Sequence, residues 1–343
     1  MTVNNKKHII IFLLLAIVAV FFFLLDIFIG AVNIPFSEIL SVLSGRTDPD
    51  EPASIIILQS RLPKAITAIL VGASLPVAGL LMQTFFRNPV AGPDILGVSA
   101  GASLFVAAVM LSTGSILGIS IFNTASIIIS AVLGSAFILF VILSVAHKLK
   151  DTITLLIFGI MFGMAISAIV GILQYYSEKG ALKLFMLWTF GSLGGVTWQQ
   201  LIILIPVICM TILIIIFYSK KLNLLLLGEK YAQSLGLNIT RSRYFIIFIT
   251  AILTGSITAF CGPIAFIGIA VPHIARMLFK SNDHFILIPG CILTGITILL
   301  MCDIISQTPG NGGVLPLNSI TACMGAPFVI YVLWKNQKMN RYF

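Results

Sequence analysis

The feature that most constrains this chain is a run of 52 residues, 95–146, that contains no charged side chain. A helical crossing of a bilayer takes about 20 apolar residues, so this run is too long for a single crossing. A Ser-Thr-Gly-Ser sequence at 112–115 offers a turn in its middle. Similar uncharged stretches recur along the chain, without the alternating apolar–polar pattern of a membrane barrel. The sequence therefore predicts an all-α, polytopic membrane protein.

Composition excludes the other broad classes. Apolar residues make up 59% of the 343 residues and charged residues only 9%, against roughly 25% charged residues in soluble domains. With a mean hydropathy of +1.13, the chain has too few polar residues to cover the surface of a soluble enzyme. The five cysteines lie in or beside apolar segments and form no CxxC pair, which favours packing residues over disulfides or metal ligands.

Ten apolar segments predict ten membrane spans, at about residues 9–30, 63–86, 95–112, 116–146, 153–176, 199–219, 243–262, 264–280, 285–305 and 314–334. The segment 264–280 is short and carries Pro272, His273 and Arg276, so it is either a full span or a half-buried, broken helix. No hydrophilic segment is long enough to form a soluble domain. We therefore expect one membrane domain over residues 1–343.

Positive charge predicts the orientation. With ten alternating spans and the N-terminus inside, 15 Lys and Arg residues fall on the inner side. Five fall outside, namely Arg46, Arg61, Lys64, Lys179 and Lys183. Lys and Arg collect on the cytoplasmic side of membrane proteins. The net charge of +9 is thereby assigned to membrane orientation rather than to nucleic-acid binding, with both termini in the cytoplasm.

Chemistry-bearing motifs are few. The chain has no GxxxxGK[ST] phosphate loop, no HExxH motif and no Cys/His cluster at metal-ligand spacing, so we expect no catalytic residues, no metal site and no ATPase site of its own. Asp26, His273 and Asp303 are the main ionisable residues within spans. Because burial of a charge in hydrocarbon is costly, such residues are candidates for a functional role. For His273, a single hydrogen-bonded histidine is a simpler interpretation than a ligand for iron or haem.

Several segments resemble the permease family of ABC importers for iron–siderophores, haem and cobalamin, the FecCD/BtuC-like or type II importers. Arg61-Leu62-Pro63-Lys64 is similar to the Arg-x-Pro-Arg sequence of that family. The strongest signature runs from Gln83 to Ala102 and includes Asn88-Pro89-Val90-Ala91-Gly92-Pro93. Further similar blocks lie at 188–193, 227–236 and 262–276, followed by Asp303, Leu315-Pro316 and Gly325-Ala326-Pro327-Phe328. They follow the order of the family along most of the chain.

The resemblance implies a permease subunit in the inner (cytoplasmic) membrane, paired with a second copy as a homodimer. It implies two ATP-binding cassette subunits inside, which would bind the ATP, and a substrate-binding protein outside, with no cofactor in this chain. The expected cargo is an iron chelate, either a ferric siderophore or haem, with cobalamin as the alternative. An ion-coupled transporter or channel with the same hydropathy profile is the alternative from a different class.

The inner segment 222–240 is the candidate for coupling to the ATPase. It is rich in leucine, and Gly228 and Gly236 mark two turns. It is either a solvated basic loop or a pair of short helices that dock on the ATPase, and its apolar residues favour docking. The resemblance assigns this role to Leu227, Gly228, Glu229, Tyr231, Ala232, Leu235 and Gly236.

Two further groups of residues take their roles from the resemblance alone. Asn88, Pro89, Val90, Asp151 and Thr152 would form a cytoplasmic gate, although Asn-Pro and Asp-Thr are also ordinary turn and cap residues. Arg61, Lys64 and the position of Gln307 would dock the binding protein. Here Lys64 and Gln307 replace arginines of the family pattern, and the acidic residue usual before Pro316 is missing.

Overall fold

The computed structural model describes residues 3–30, 32–111, 124–149, 151–309 and 313–335, and within them the chain folds as helices without strands. The helices are α1 (Val3–Phe28), α2 (Phe36–Leu43), α3 (Pro52–Ile55), α4 (Leu62–Phe86), α5 (Val98–Leu111), α6 (Thr124–Lys148), α7 (Thr152–Tyr176), α8 (Lys179–Thr189), α9 (Trp198–Leu226), α10 (Glu229–Ser234), α11 (Ile239–Cys261), α12 (Ile267–Phe279), α13 (His284–Gln307) and α14 (Leu317–Lys335). The prediction of an all-α fold is confirmed.

The predicted membrane segments are present in order. Among the described residues, seven helices are long and apolar enough to cross a bilayer, namely α1, α3 joined to α4, α6, α7, α9, α11 and α13. Three shorter apolar helices, α5, α12 and α14, complete a set that matches the ten predicted segments one to one. The predicted turn at 112–115 and the start of the predicted span 116–146 lie outside the described residues.

The second span begins earlier than the sequence indicated. Helix runs without interruption from Pro52 to Phe86, through a π-helical turn at Ile56–Arg61 that joins α3 to α4. At 35 residues it is about 50 Å long, well beyond the roughly 30 Å of hydrocarbon. The polar residues before Pro63 resemble a loop in the sequence, but the helix continues through Pro63, which directly follows the π-helical turn.

The centre of the bundle is α4, almost all of which is buried. Its glycines allow direct backbone contact with two neighbours, since a Cβ on Gly79 would overlap the backbone of Gly268 in α12, and one on Gly72 would meet Gly295 in α13. Small residues at such crossings let helices approach closely in a membrane. Close packing therefore explains these glycines.

Helix α12 is short, as one of the two alternatives for 264–280 proposed. It has 13 residues and hence a length of about 20 Å, less than the hydrocarbon thickness. The chain reaches it through a non-helical stretch after α11, which ends at Phe266 with a positive φ of 67°. The segment 264–280 is therefore a short helix preceded by non-helical residues, rather than one helix as long as the bilayer is thick.

Candidate functional site

The segment 222–240 contains one short helix rather than the predicted pair. Residues 222–226 continue α9, because nothing in their leucine-rich sequence breaks the helix. Gly228 then turns the chain with φ 114° and ψ 144°, a region that favours glycine, and α10 follows as a six-residue helix. A second turn at Gly236, with φ 85°, leads to Asn238, whose side chain caps α11.

The surface of this segment is apolar and open. Leu227, Tyr231 and Leu235 have 60%, 57% and 52% of their surface exposed, whereas Ala232 is fully buried against the bundle. Ala232 thus anchors α10, and the three large side chains point away from the protein. A short helix with an outward apolar face at the end of a membrane bundle is a surface suited to contact with another protein.

The loop after α4 is held in place by its own turn and by α12. Arg87 ends α4 in the left-handed conformation, and the Val90 amide donates to Asn88 Oδ1 at 3.0 Å. His273 Nε2, from α12, lies 2.7 Å from the Pro89 carbonyl oxygen, and the imidazole is buried. His273 is therefore a hydrogen-bonded histidine that fixes the loop containing the predicted gate residues 88–90.

The second group of predicted gate residues starts α7. Asp151 accepts hydrogen bonds from the Thr154 amide at 2.8 Å and from the Thr154 hydroxyl at 2.6 Å. The hydrogen bond from the Thr154 hydroxyl, together with that from the amide, lowers the pKa of the exposed Asp151 carboxyl. Thr152 faces the other way, and its hydroxyl donates to Glu229 Oε1 of α10 at 3.1 Å. One predicted gate residue and one predicted coupling residue thus meet directly.

Two arginines complete this contact, and sequence reasoning did not single them out. Arg87 donates through Nη2 to the Leu225 carbonyl oxygen at 2.9 Å, joining the end of α4 to the end of α9. Arg243 donates to the Leu149 carbonyl oxygen at 2.8 Å and places Nη2 4.0 Å from Glu229 Oε1. We call this end of the bundle, with the helix ends at Phe86, Lys148, Leu226 and Ile239, the coupling end.

A polar network behind the coupling end ties four helices together. The buried His284 of α13 lies 2.9 Å from the Thr84 hydroxyl of α4 and 2.7 Å from Asn223 Oδ1 of α9. Arg276 of α12 donates to Gln83 Oε1 of α4 at 2.6 Å. These hydrogen bonds join α4, α9, α12 and α13 to one another behind the coupling end.

The three residues assigned to binding-protein docking lie at the opposite end, and they are buried. Lys64 is 8% exposed and forms ion pairs with Asp26 at 3.0 Å and with Asp303 at 2.6 Å. Gln307 donates to Asp303 Oδ2 at 2.9 Å. Lys64 is thus buried between carboxylates from α1 and α13, and its role in docking the binding protein stays a prediction.

Arg61 is likewise an internal side chain, only 4% exposed. Its guanidinium donates to the Ile27 and Phe28 carbonyl oxygens at 2.9 and 3.0 Å, and also to the Val32 carbonyl oxygen. The last carbonyls of a helix lack partners within the helix, so Arg61 satisfies the end of α1. Arg61 therefore caps the end of α1 in the structure, and its role in docking the binding protein stays a prediction.

No cofactor or metal site emerges from the described part of the chain. Within it, no group of three or more His, Cys, Asp or Glu side chains is placed to hold a metal ion. Cys261, Cys291 and Cys302 are buried thiols within helices.

The chain is similar to known proteins over most of its length. The profile of the FecCD transport family matches residues 15–335. The vitamin B12 import system permease protein BtuC of Klebsiella pneumoniae is 37% identical over 287 residues, which cover 82% of this chain and 83% of that protein. The protein of the same name from Salmonella paratyphi A is 36% identical over 288 residues, or 83% and 85% of the two chains.

A solved structure shares the fold. It is described as an inward-facing conformation of a metal-chelate type ABC transporter and superposes with a TM-score of 0.82 at 28% identity. The match covers 95% of this chain and 99% of that one. The likeness therefore extends over nearly the whole chain.

Proposed function

Since the chain belongs to the FecCD transport family of ABC importer permeases, we propose that its coupling end receives the movement of ATPase subunits and passes it to the gate loops. The contact between Thr152 and Glu229 is the observation that carries this proposal. Glu229 lies in α10 beside the exposed Tyr231, and Thr152 begins α7. A partner that moves α10 therefore pulls directly on the start of a membrane helix.

A second connection runs to the other gate loop. Arg87, immediately before Asn88-Pro89-Val90, holds the carbonyl of Leu225 at the end of α9. On the far side of that loop, His273 holds Pro89 to α12. Movement of the segment 225–229 thus reaches both predicted gate loops through one hydrogen bond each. The apolar surface of Leu227, Tyr231 and Leu235 supports an ATPase subunit as the partner that supplies the movement.

The cargo that we propose is a whole metal chelate. A ferric siderophore or haem was the expectation from the resemblance, and the solved relative is described as a metal-chelate type transporter. Cobalamin is the second candidate, and the name of the BtuC proteins at 36–37% identity supports it. All three cargoes are bulky chelates that bring their own metal ligands, so the permease need not provide any.

The remaining features of the assembly are proposals from the same premise. We propose one membrane domain, both termini in the cytoplasm, two separate ATPase subunits that bind the ATP, a binding protein outside and a second copy of this chain. A reporter that is active only outside the cytoplasm tests the orientation. It should be silent when fused after Phe343 and active when inserted near Asp50, and the reverse pattern would contradict ten spans with an internal N-terminus.

Leu235→Asp tests the coupling surface. A carboxylate at an apolar contact costs several kcal/mol when it is desolvated, so the variant should fold but lose its ATPase subunits on purification. Leu40→Asp in α2 is the matched control, because Leu40 is equally exposed, at 54%, and lies outside the segment 222–240. If Leu235→Asp keeps the full amount of ATPase subunits and transports normally, the docking assignment fails.

Uptake measurements identify the cargo. Cells with and without this gene are supplied with labelled ferric siderophore, haem or cobalamin. Loss of iron-chelate uptake alone supports the first candidate, and loss of cobalamin uptake alone supports the second. If uptake of none of these chelates depends on the gene, the proposed cargo class is wrong, whereas the coupling assignment is tested separately by Leu235→Asp.

A further inference from the structure

Three helix ends meet in an aromatic cluster at the side of the coupling end. His147, in the last turn of α6, lies 3.0 Å from the Tyr244 hydroxyl in the second turn of α11. Tyr218 of α9 stacks on Phe245 of α11 with 3.9 Å between ring centroids, and its hydroxyl donates to Ser242 at 2.8 Å. These contacts fix α6, α9 and α11 relative to one another at this level.

Four exposed cations surround the cluster. They are Lys148 next to His147, Lys220 and Lys221 after Tyr218, and Arg241 one turn before Tyr244. Lys221 Nζ lies 4.8 Å from the centre of the Tyr218 ring. None of the four forms an ion pair within the described residues, and α6, α9 and α11 contain no Asp or Glu at all. The positive charge of this surface is therefore not neutralised by the helices that carry it.

An apolar face adjoins the cations on the same three helices. Phe140, Phe217 and Phe248 are 70%, 80% and 48% exposed. Phe140 precedes His147 by seven residues, Phe217 precedes Lys221 by four, and Phe248 follows Arg241 by seven. At these spacings each ring lies on the same helix face as His147 or one of the surrounding cations. In membrane proteins, apolar side chains lie beside the acyl chains, tyrosines lie at the interface, and Lys and Arg lie beside the headgroups. The three helices show the same order.

We propose that this surface binds the phosphate headgroup of an anionic phospholipid, with the acyl chains against the three phenylalanines. The charge and the adjoining apolar face together match a phosphatidylglycerol-like lipid, which carries both a phosphate and hydrocarbon. An ATPase subunit is a different occupant, and the large apolar side chains that suit it, Leu227, Tyr231 and Leu235, lie on a separate segment.

The test measures retained lipid. Purified permease is equilibrated in vesicles of equal parts phosphatidylcholine and phosphatidylglycerol, extracted, and analysed by native mass spectrometry. Each Lys or Arg near an anionic lipid surface contributes about fivefold in affinity, so Lys148→Gln/Lys221→Gln/Arg241→Gln should lower phosphatidylglycerol retention on the order of 100-fold at low salt. Lys148→Arg/Lys221→Arg/Arg241→Lys keeps the charge and should retain the lipid as the wild type does.

Arg46→Gln/Lys179→Gln/Lys183→Gln is the matched control. It removes the same number of exposed cations from segments outside the three helices and should leave retention unchanged. Retention should also fall as salt is raised, and inorganic phosphate at the concentration of the lipid should not displace the lipid.

Three results would overturn the proposal. The first is unchanged phosphatidylglycerol retention in the triple glutamine variant, and the second is an equal loss in the matched control. The third is loss of the ATPase subunits from the triple glutamine variant while lipid retention is unchanged, which would make this surface part of the protein contact instead.

Discussion

The two ends of the bundle use polar groups in opposite ways. At the end opposite to coupling, Lys64, Asp26 and Asp303 turn their charges inward and find their partners within the chain. At the coupling end, Tyr231 and Leu235 turn apolar surface outward, and hydrogen bonds join loops rather than helix centres. One end therefore has all these charges paired within the chain, whereas the other also leaves an apolar surface exposed to a partner.

Energetics explain why the two arrangements are not interchangeable. A buried ion pair gives little net stability, but removal of one partner leaves an uncompensated charge, which is strongly destabilising. The inward cluster therefore fixes the positions of α1, α4 and α13. An exposed apolar face adds little to the free energy of unfolding of the subunit. Its substitution should therefore leave the fold unchanged and alter only the binding of a partner.

The largest expected effect comes from breaking the inward cluster. Lys64→Met removes the cation between Asp26 and Asp303 and should lower the free energy of unfolding by about 3–5 kcal/mol. Thermal unfolding in detergent measures the loss. Lys64→Arg, which keeps the charge, should remain close to wild type, and stability unchanged in Lys64→Met would contradict the structural role.

This result also separates the structural role from docking. If Lys64 docked the binding protein directly, Lys64→Met would fold normally and lose only the stimulation of ATP hydrolysis by that protein. The buried position favours the opposite order, with folding affected first.

A smaller effect is expected at the turn into α10. Gly228 adopts φ 114° with ψ 144°, and a Cβ there would stand 3.2 Å from Arg87 Nη2. Gly228→Ala should lower the free energy of unfolding by about 2 kcal/mol through backbone strain and should weaken the coupling of ATP hydrolysis to transport. Gly180→Ala, at a helical position with open space around it, is the control and should be neutral or stabilising.

Hydropathy was sufficient to predict the all-α class and the order of the helices, and the permease fold was predicted from the resemblance, but the residue contacts needed tertiary information. Each of the ten apolar segments corresponds to a helix, because uncharged runs of this length have few alternatives in a bilayer. The similarity to the solved transporter confirms the predicted BtuC-like permease fold. The burial of Lys64 could not be predicted in the same way, since Asp26 and Asp303 are far from it in the sequence.

The candidate site shows the same limit. Glu229 and Thr152 were assigned to separate roles, and their contact depends on how α7 and α10 are placed in space. Arg87 was counted only as an inner positive charge, although its position between a helix end and Asn88-Pro89 was a local signal for a capping role. The span predicted at 199–219 ended before Lys220 and Lys221, whereas α9 continues through them to Leu226.

A double-mutant cycle measures the link between the two predicted groups. Thr152→Val and Glu229→Ala each remove this hydrogen bond. Each should lower transport per ATP hydrolysed, and together they should cost less than the sum of the two. The expected interaction energy is about 1 kcal/mol, as for a single hydrogen bond. Strictly additive effects on both unfolding and transport would show that the contact transmits nothing.

The smallest effect on stability is expected at the open surface. Tyr231→Ala should change the free energy of unfolding by less than about 0.5 kcal/mol, because the side chain is 57% exposed. It should nevertheless weaken ATPase binding by about tenfold, since aromatic residues contribute most at interfaces. Tyr175→Ala, at the far end of α7 and 81% exposed, is the control, and equal ATPase binding by the two variants would argue against the assignment to α10.

The shortness of α12 has a consequence for how the protein is made. A helix of 13 residues that carries His273 and Arg276 is shorter than the hydrocarbon thickness, and its polar side chains are costly to expose to lipid. Its binding groove is lined by α4, where Gly79 receives Gly268 and Gln83 receives Arg276. Because α4 leaves the ribosome before α12, the α4 side of this groove has already been made when α12 emerges, whereas α13 follows later. The entry of α12 into the membrane is therefore an assembly step guided by earlier helices, and the isolated segment should insert poorly in a translocon assay.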